Sequence, residues 1–240
     1  MKNRASHSFP LEHSLAVIVI LLLVSCIVVD AIAIVLGDGQ GSLLSLAEAD
    51  EETNAVIQGI PALAQLAAYL TTGVLFLIWI YRVHRNLPAL GIRRPKYSPG
   101  WAVGWFLVPV ANLALPYDVV KELWKDSNPD AGLSEAFFGQ HPEVTREYSS
   151  KTSLIGWWWG FWIASVVASR VYGRVSQTGK IALEGASVLG MICDVLSIMA
   201  AVLAILIVKD IDARQEEKHR RLALDRDVQS ARAASQSGNL

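Results

Sequence analysis

Leu15–Leu36 is a run of 22 residues with one charge, Asp30, and it is the first of four such runs. Ile60–Tyr81 has 22 residues and no charge, Thr152–Ser169 has 18 and none, and Gly185–Val208 has 24 with only Asp194. At a rise of about 1.5 Å per residue, each covers the roughly 30 Å hydrocarbon core of a bilayer. None alternates as a barrel strand does, and a helix satisfies its backbone groups within the segment, as a chain in lipid must. The expected fold class is therefore an all-α integral membrane protein with four transmembrane helices. The composition agrees: 52% of residues are hydrophobic and 18% charged, below the roughly 25% charge of soluble domains. The organisation that follows is an N-terminal tail (1–14), a membrane domain (15–208, with spans at about 15–36, 60–81, 152–171 and 185–208) and a charged tail (209–240).

A cleaved leader is the competing reading of the first run. Lys2 and Arg4 precede it, and Leu23-Val24-Ser25-Cys26 resembles a lipoprotein cleavage box. The apolar sequence continues through Ile27, Val28 and Val29, longer than a leader's core, so a retained helix is expected.

Trp101–Tyr117 is a fifth uncharged stretch, of 17 residues, but it contains Gly104, Pro109, Asn112 and Pro116. Each proline removes a backbone donor and breaks the helix around it, which predicts two short pieces. Non-helical backbone at membrane depth survives only when buried in protein or lining a wet cavity. The segment is therefore either re-entrant or interfacial, or it is a kinked fifth span. Basic residues arbitrate, because Lys and Arg concentrate in cytoplasmic loops. The loop from residue 37 to 59 has no base but carries Asp38, Glu48, Asp50, Glu51 and Glu52, whereas the loop from 82 to 100 carries Arg82, Arg85, Arg93, Arg94 and Lys96 and no acid. If the broken segment does not cross, 18 of the 21 basic residues lie on the cytoplasmic side; if it crosses, they divide 10 to 11. Four spans, a re-entrant or interfacial segment and cytoplasmic termini are preferred, with five spans as the alternative.

Outside the runs, residues 117–125 place Val119, Val120, Leu123 and Trp124 on one helical face, which reads as an interfacial helix with Trp124 at headgroup depth. Asp126–Ser150 holds Pro129, Gly132, Gly139 and Pro142 without a clear period and reads as a loop. The tail is expected to continue as a charged helix supported by Glu216–Arg220 and Glu217–Arg221 pairs, with disorder past Arg232.

The candidate intramembrane polar site is Asp194, Asn112 and Asp30. An acid in the middle of a span is costly and normally faces the bundle interior, either as an ion or ligand site or as a hydrogen-bonded link between helices. Asp30 is nearer the outer end of its span, where it could reach water. Asn112 is expected to satisfy backbone groups freed by the broken helix. Trp101, Trp105, Pro109, Asn112 and Pro116 form the broken-helix motif. Arg82, Arg85, Arg93, Arg94 and Lys96 form a topogenic cluster suited to anionic headgroups. The tryptophans at 79, 101, 105, 157–159 and 162 read mainly as interfacial belts, and Cys26 and Cys193 as small apolar residues. The five histidines are scattered with no metal-ligand spacing. No nucleophile elbow, phosphate loop, metalloprotease motif or acid pair is present, so no cofactor, metal or catalytic residue is expected.

Ile78–Trp124 is similar to a known family. Trp79-Ile80-Tyr81-Arg82-Val83-His84-Arg85-Asn86-Leu87, Leu90-Gly91, Tyr97-Ser98-Pro99-Gly100-Trp101, Trp105, Pro109-Val110-Ala111-Asn112-Leu113, Pro116-Tyr117 and Glu122-Leu123-Trp124 resemble, in order and spacing, the bacterial domain of unknown function 4328 family. The resemblance covers roughly residues 60 to 215. It implies a bacterial multi-pass protein of the cell membrane and no particular activity. The functional expectation is a non-enzymatic scaffold or regulator acting by interaction. A small channel or transporter subunit is the alternative, and a lipid-modifying enzyme a weaker one. The expected partners are the lipid bilayer and a second copy or another membrane protein; a net charge of −1 gives no pull toward nucleic acid.

Overall fold

The computed structural model describes residues 9–36, 51–92, 94–129, 142–178 and 183–237, and every regular element among them is helical. In chain order these are α1 (Phe9–Leu36), α2 (Glu51–Asn86), α3 (Pro99–Leu107), α4 (Leu115–Asp126), α5 (Pro142–Thr178) and α6 (Leu183–Ser237), with 3-10 turns at Leu87–Leu90 and Ala111–Leu113. Among the described residues three helices are long and apolar enough to cross a membrane, through Ser14–Val35, Leu63–Leu90 and Val188–Gln236. The Trp-rich α5 is not among them: Thr152–Ser169 is uncharged, but Trp157, Trp158, Trp159 and Trp162, with Gly156, Gly160 and several serines, lower its mean hydropathy. Lys2, Arg4, Asp38, Glu48, Asp50 and Arg93 lie outside the described residues, as do the side chains of Glu51 and Glu52.

The chain divides into two compact units. One comprises Val17–Leu77 and Thr152–Ile207. It is apolar outside as well as inside, unlike a soluble amphipathic bundle. Leu21, Leu63, Leu66, Leu70, Val167 and Val188 are exposed, while Val19, Ile155, Ala200 and Ala204 are buried. Small polar groups link its helices: the Cys26 thiol lies 3.4 Å from the Thr72 hydroxyl, which itself donates to the Ala68 carbonyl at 2.7 Å. Tryptophans fill rather than only rim it. Trp158 and Trp159 are buried, Trp159 stacks on Trp162 with centroids 4.7 Å apart, and Trp158 meets Phe76 at 6.1 Å. Trp157, 65% exposed, keeps the outward position a belt requires.

The other unit comprises Met1–Ala16, Ile78–Lys151 and Val208–Leu240. The last turns of α2 bury Trp79, Ile80, Val83 and His84, and the 3-10 turn buries Leu87 and Leu90. Gly91 ends that turn at φ +88°, sending its N–H back to Pro88 and freeing Ile92 to reach Leu87. This left-handed conformation is one that a Cβ disfavours. Pro99 then starts α3 and the Ser98 hydroxyl accepts from the Trp101 N–H. The expected break occurs: α3 stops at Leu107, the chain turns through Pro109, and Pro116 sits in the first turn of α4. On α3, Trp101 and Trp105 stack at 4.7 Å, and a Cβ at Gly104 would press against the Trp101 ring at 3.3 Å.

Three expectations are corrected in this unit. The apolar face of α4 does not lie open to lipid: Val119, Val120, Leu123 and Trp124 are at most 2% exposed. The Trp124 indole N–H donates to Asp210 of α6, and the Arg214 guanidinium sits 4.0 Å over its ring while donating to Asp210 at 2.9 Å. The face is covered by protein because α6 continues as helix past its apolar run. Gln215 donates to the Val83 carbonyl at 3.2 Å and to the Ser127 hydroxyl at 3.1 Å, and Lys218 donates to the Asp126 carbonyl at 2.7 Å. Second, the expected loop of 126–150 ends early, since α5 starts at Pro142, a residue favoured in a first helical turn. Third, α6 runs to Ser237 rather than fraying at Arg232. Of the two tail pairs, Glu217–Arg221 forms at 2.7 Å, and Arg220 turns to Glu217 rather than Glu216.

Candidate functional site

Within the unit of Val17–Leu77 and Thr152–Ile207, α1, α2, α5 and α6 enclose a cavity of about 700 Å³. Its wall follows from helical periodicity. On α2 the contributors are Gln65, Tyr69, Thr72, Gly73 and Phe76; on α5 Trp158, Trp162, Ser165, Val166, Ser169, Arg170 and Tyr172; on α6 Gly190, Cys193, Asp194, Ser197, Ala200, Ala201 and Ala204. Residues three and four apart share a helix face, so these sets are single stripes, and small residues on α6 leave the space between helices open. Leu23, Cys26 and Ala33 complete the wall from α1.

Polar groups in the wall are organised rather than scattered. The Tyr69 hydroxyl donates to Asp30 Oδ1, Gln65 Nε2 approaches that oxygen at 3.5 Å and the Tyr69 hydroxyl at 3.3 Å, and Ser197 of α6 stands on the same wall. Asp30 is fully buried, which corrects the reading that it could reach water. The Ser165 and Ser169 hydroxyls donate to carbonyls one turn back, Trp162 and Ser165, both at 2.8 Å. Such internal bonds let serine line a dry or wet wall without cost. Asp194 lies on the wall, partly buried, one residue from Cys193. Both cysteines of the chain are free thiols, and both line this cavity. No cluster of three metal-ligating side chains occurs among the described residues.

The structure thus gathers Asp194 and the Asp30 network into one unit, and Asn112 falls in the other. Asn112 sits in the second 3-10 turn, its N–H bonded to the Val108 carbonyl at 2.7 Å and its Oδ1 buried. Its backbone amide, rather than its side chain, serves the broken segment. Arg82, Arg85 and Arg94 are exposed. Lys96 leaves that group: its ammonium pairs with Asp118 at 2.8 Å, its backbone N–H donates to Glu122, and Tyr97 donates to Asp118 at 3.4 Å. The Lys96 hydrogen bond holds the Asp118 carboxyl below the usual carboxylate range, whereas burial pushes Glu122 and Asp126 up. Gln65, Tyr69, Thr72 and Ser197 were not singled out from sequence. The signal was present as a polar stripe at i, i+4 and i+7 inside an otherwise apolar run.

Residues 43–213 match the family model described as Domain of unknown function (DUF4328). The chain belongs to this family. The DUF4328 match takes in the α2, α5 and α6 stripes of the cavity and the whole α3–α4 break, while α1, with Cys26 and Asp30, precedes it. No curated protein and no solved structure matches the chain.

Proposed function

We propose that this DUF4328 protein is a non-enzymatic, multi-pass protein of the bacterial cell membrane that works by binding a small ligand in the cavity of α1, α2, α5 and α6. The cavity carries the reading: about 700 Å³, with Asp194, Gln65, Tyr69 and Ser197 among the polar groups of a mainly apolar wall. Ligand sites are commonly concave spaces of about 300–1,000 Å³ with a few placed polar groups, and ionisable residues inside membrane helices are costly unless they serve such a site or a partner. In this reading α1, α2, α5 and α6 each cross the bilayer and both termini are cytoplasmic. The α3–α4 segment is re-entrant or interfacial: nine residues of α3 rise only about 13 Å, too little to cross. The exposed Arg82, Arg85 and Arg94 support a cytoplasmic loop near anionic headgroups. Binding would make the protein a regulator or scaffold for a second copy or another membrane protein, with the bilayer as its medium and no nucleic acid.

A second reading, a small channel or transporter subunit, is favoured by Asp194 facing the cavity. Proteoliposomes that pass no ion or solute above the protein-free rate would sink it.

The binding reading is tested with the native thiols. In nanodiscs, a small neutral thiol reagent is expected to modify Cys193 in the wild type. Ala201→Phe, which fills the wall, should slow this by about tenfold or more, and Ala201→Gly should not. A wild-type Cys193 that never reacts overturns the cavity as a binding site.

A further inference from the structure

We propose that the ligand is a lipophilic organic cation; this rests on the cavity being a binding site. Charge comes first. The wall presents the Asp194 carboxyl, and directly behind Tyr69 lies the buried Asp30, whose Oδ1 accepts from Tyr69 and Gln65 while Oδ2 is buried with no hydrogen-bond partner among the described residues. The wall's basic residue, Arg170, is exposed. An anion entering would lose its hydration against acids, and among the described residues no buried cation lines the wall to receive it, which is costly in a low-dielectric site. A cation meets acceptors instead.

The rings point the same way. Tyr69, Phe76, Trp158 and Trp162 stand on the wall, and Trp158 is 4% exposed. Aromatic faces carry negative charge density, and a desolvated cation gains most from tryptophan. Bare metal ions are poorly served, since the space is far larger than an ion and no three ligating side chains converge among the described residues. A bulky cation with alkyl or aryl groups uses both the volume and the apolar wall.

Cys193 and Cys26 make the chain its own reporter, because both thiols are on the wall and no others exist. Full-length protein in nanodiscs is treated with three methanethiosulfonates of similar size, bearing a trimethylammonium, a sulfonate or a neutral group. Each rate is divided by that reagent's rate with a free thiol in solution. The expected result is a cation rate at least about tenfold above the anion rate, the order of preference that a carboxylate within several ångströms gives at an effective dielectric near 20. Asp194→Asn should lower that ratio by about tenfold, with a helical circular dichroism spectrum like that of the wild type showing that the variant is folded. Added salt should lower the ratio in the wild type. Equal cation and anion rates, or a ratio unmoved by Asp194→Asn, overturn the cation assignment while the cavity stands. No reaction with any of the three overturns the binding reading itself.

Discussion

Replacing Trp124 tests the joint between α4 and α6. Its side chain is 2% exposed, its indole N–H donates to Asp210, and Arg214 lies 4.0 Å over the ring with its Nε 2.9 Å from Asp210. Trp124→Phe keeps most of the buried ring and removes the N–H. A hydrogen bond to a charged group is worth about 1.5–3 kcal/mol, and that loss is expected. Trp124→Ala adds a cavity and removes the cation–π contact. Large aromatic truncations in packed interiors cost about 3–5 kcal/mol, and the stacked guanidinium adds about 0.5–2 kcal/mol. The upper part of that combined range is tempered by partial collapse of the site. The assay is unfolding in mixed micelles at rising SDS fraction, followed by the helical circular dichroism band so that the missing indole does not affect the signal. A double-mutant cycle of Trp124→Phe with Asp210→Asn separates the shared bond from what each residue does alone. Coupling of at least about 1 kcal/mol is expected. Coupling within about 0.5 kcal/mol of zero, with Trp124→Ala unfolding like the wild type, refutes a buried joint and restores a lipid-facing Trp124.

Two further outcomes follow from the same unit. Gly91→Ala forces a Cβ into the left-handed region at φ +88° and should destabilise by about 1–2 kcal/mol in the same unfolding assay, although nothing lies within 4 Å of the added carbon; an unchanged midpoint contradicts the turn. Stability should also peak in mildly acid solution. Glu122 and Asp126 are raised by burial, so their cost exists above their folded values and is relieved as pH falls toward the ordinary carboxylate range. Asp118 is lowered by its bond from Lys96, so its contribution is present above the unfolded value and disappears as pH falls through the still lower folded one. Unfolding midpoints measured across pH should show a softened upper limb in Glu122→Gln and a softened acid limb in Asp118→Asn; unchanged profiles contradict the assignments.

Sequence made the apolar helices plain, because 22 uncharged or nearly uncharged residues have few other fates. The break was equally legible: Pro109 and Pro116 stop α3 and start α4. What escaped depended on partners distant in the chain. An amphipathic stretch such as 117–125 looks the same whether lipid or protein covers it, and only the continuation of α6 through Asp210, Arg214 and Gln215 decides for protein. The sequence from Pro142 to Lys151 is mostly polar, so its apolar periodicity is weak. Asp194 and Asp30 were singled out by their charge, whereas Gln65, Tyr69, Thr72 and Ser197 are mild polar residues that become a site only when four helices set their stripes toward one space. Asn112 has the chemistry of a pore residue but falls in the other unit, serving a turn.

The central claim is that this space holds a ligand. It is tested most directly by titrating the full-length protein in nanodiscs with tetraphenylphosphonium and following tryptophan fluorescence, since Trp158 and Trp162 stand on the wall. The account predicts quenching that saturates at one site per chain and is lost in Ala201→Phe. Quenching that rises in proportion to added probe and is the same in Ala201→Phe, as simple partition into lipid would give, contradicts it.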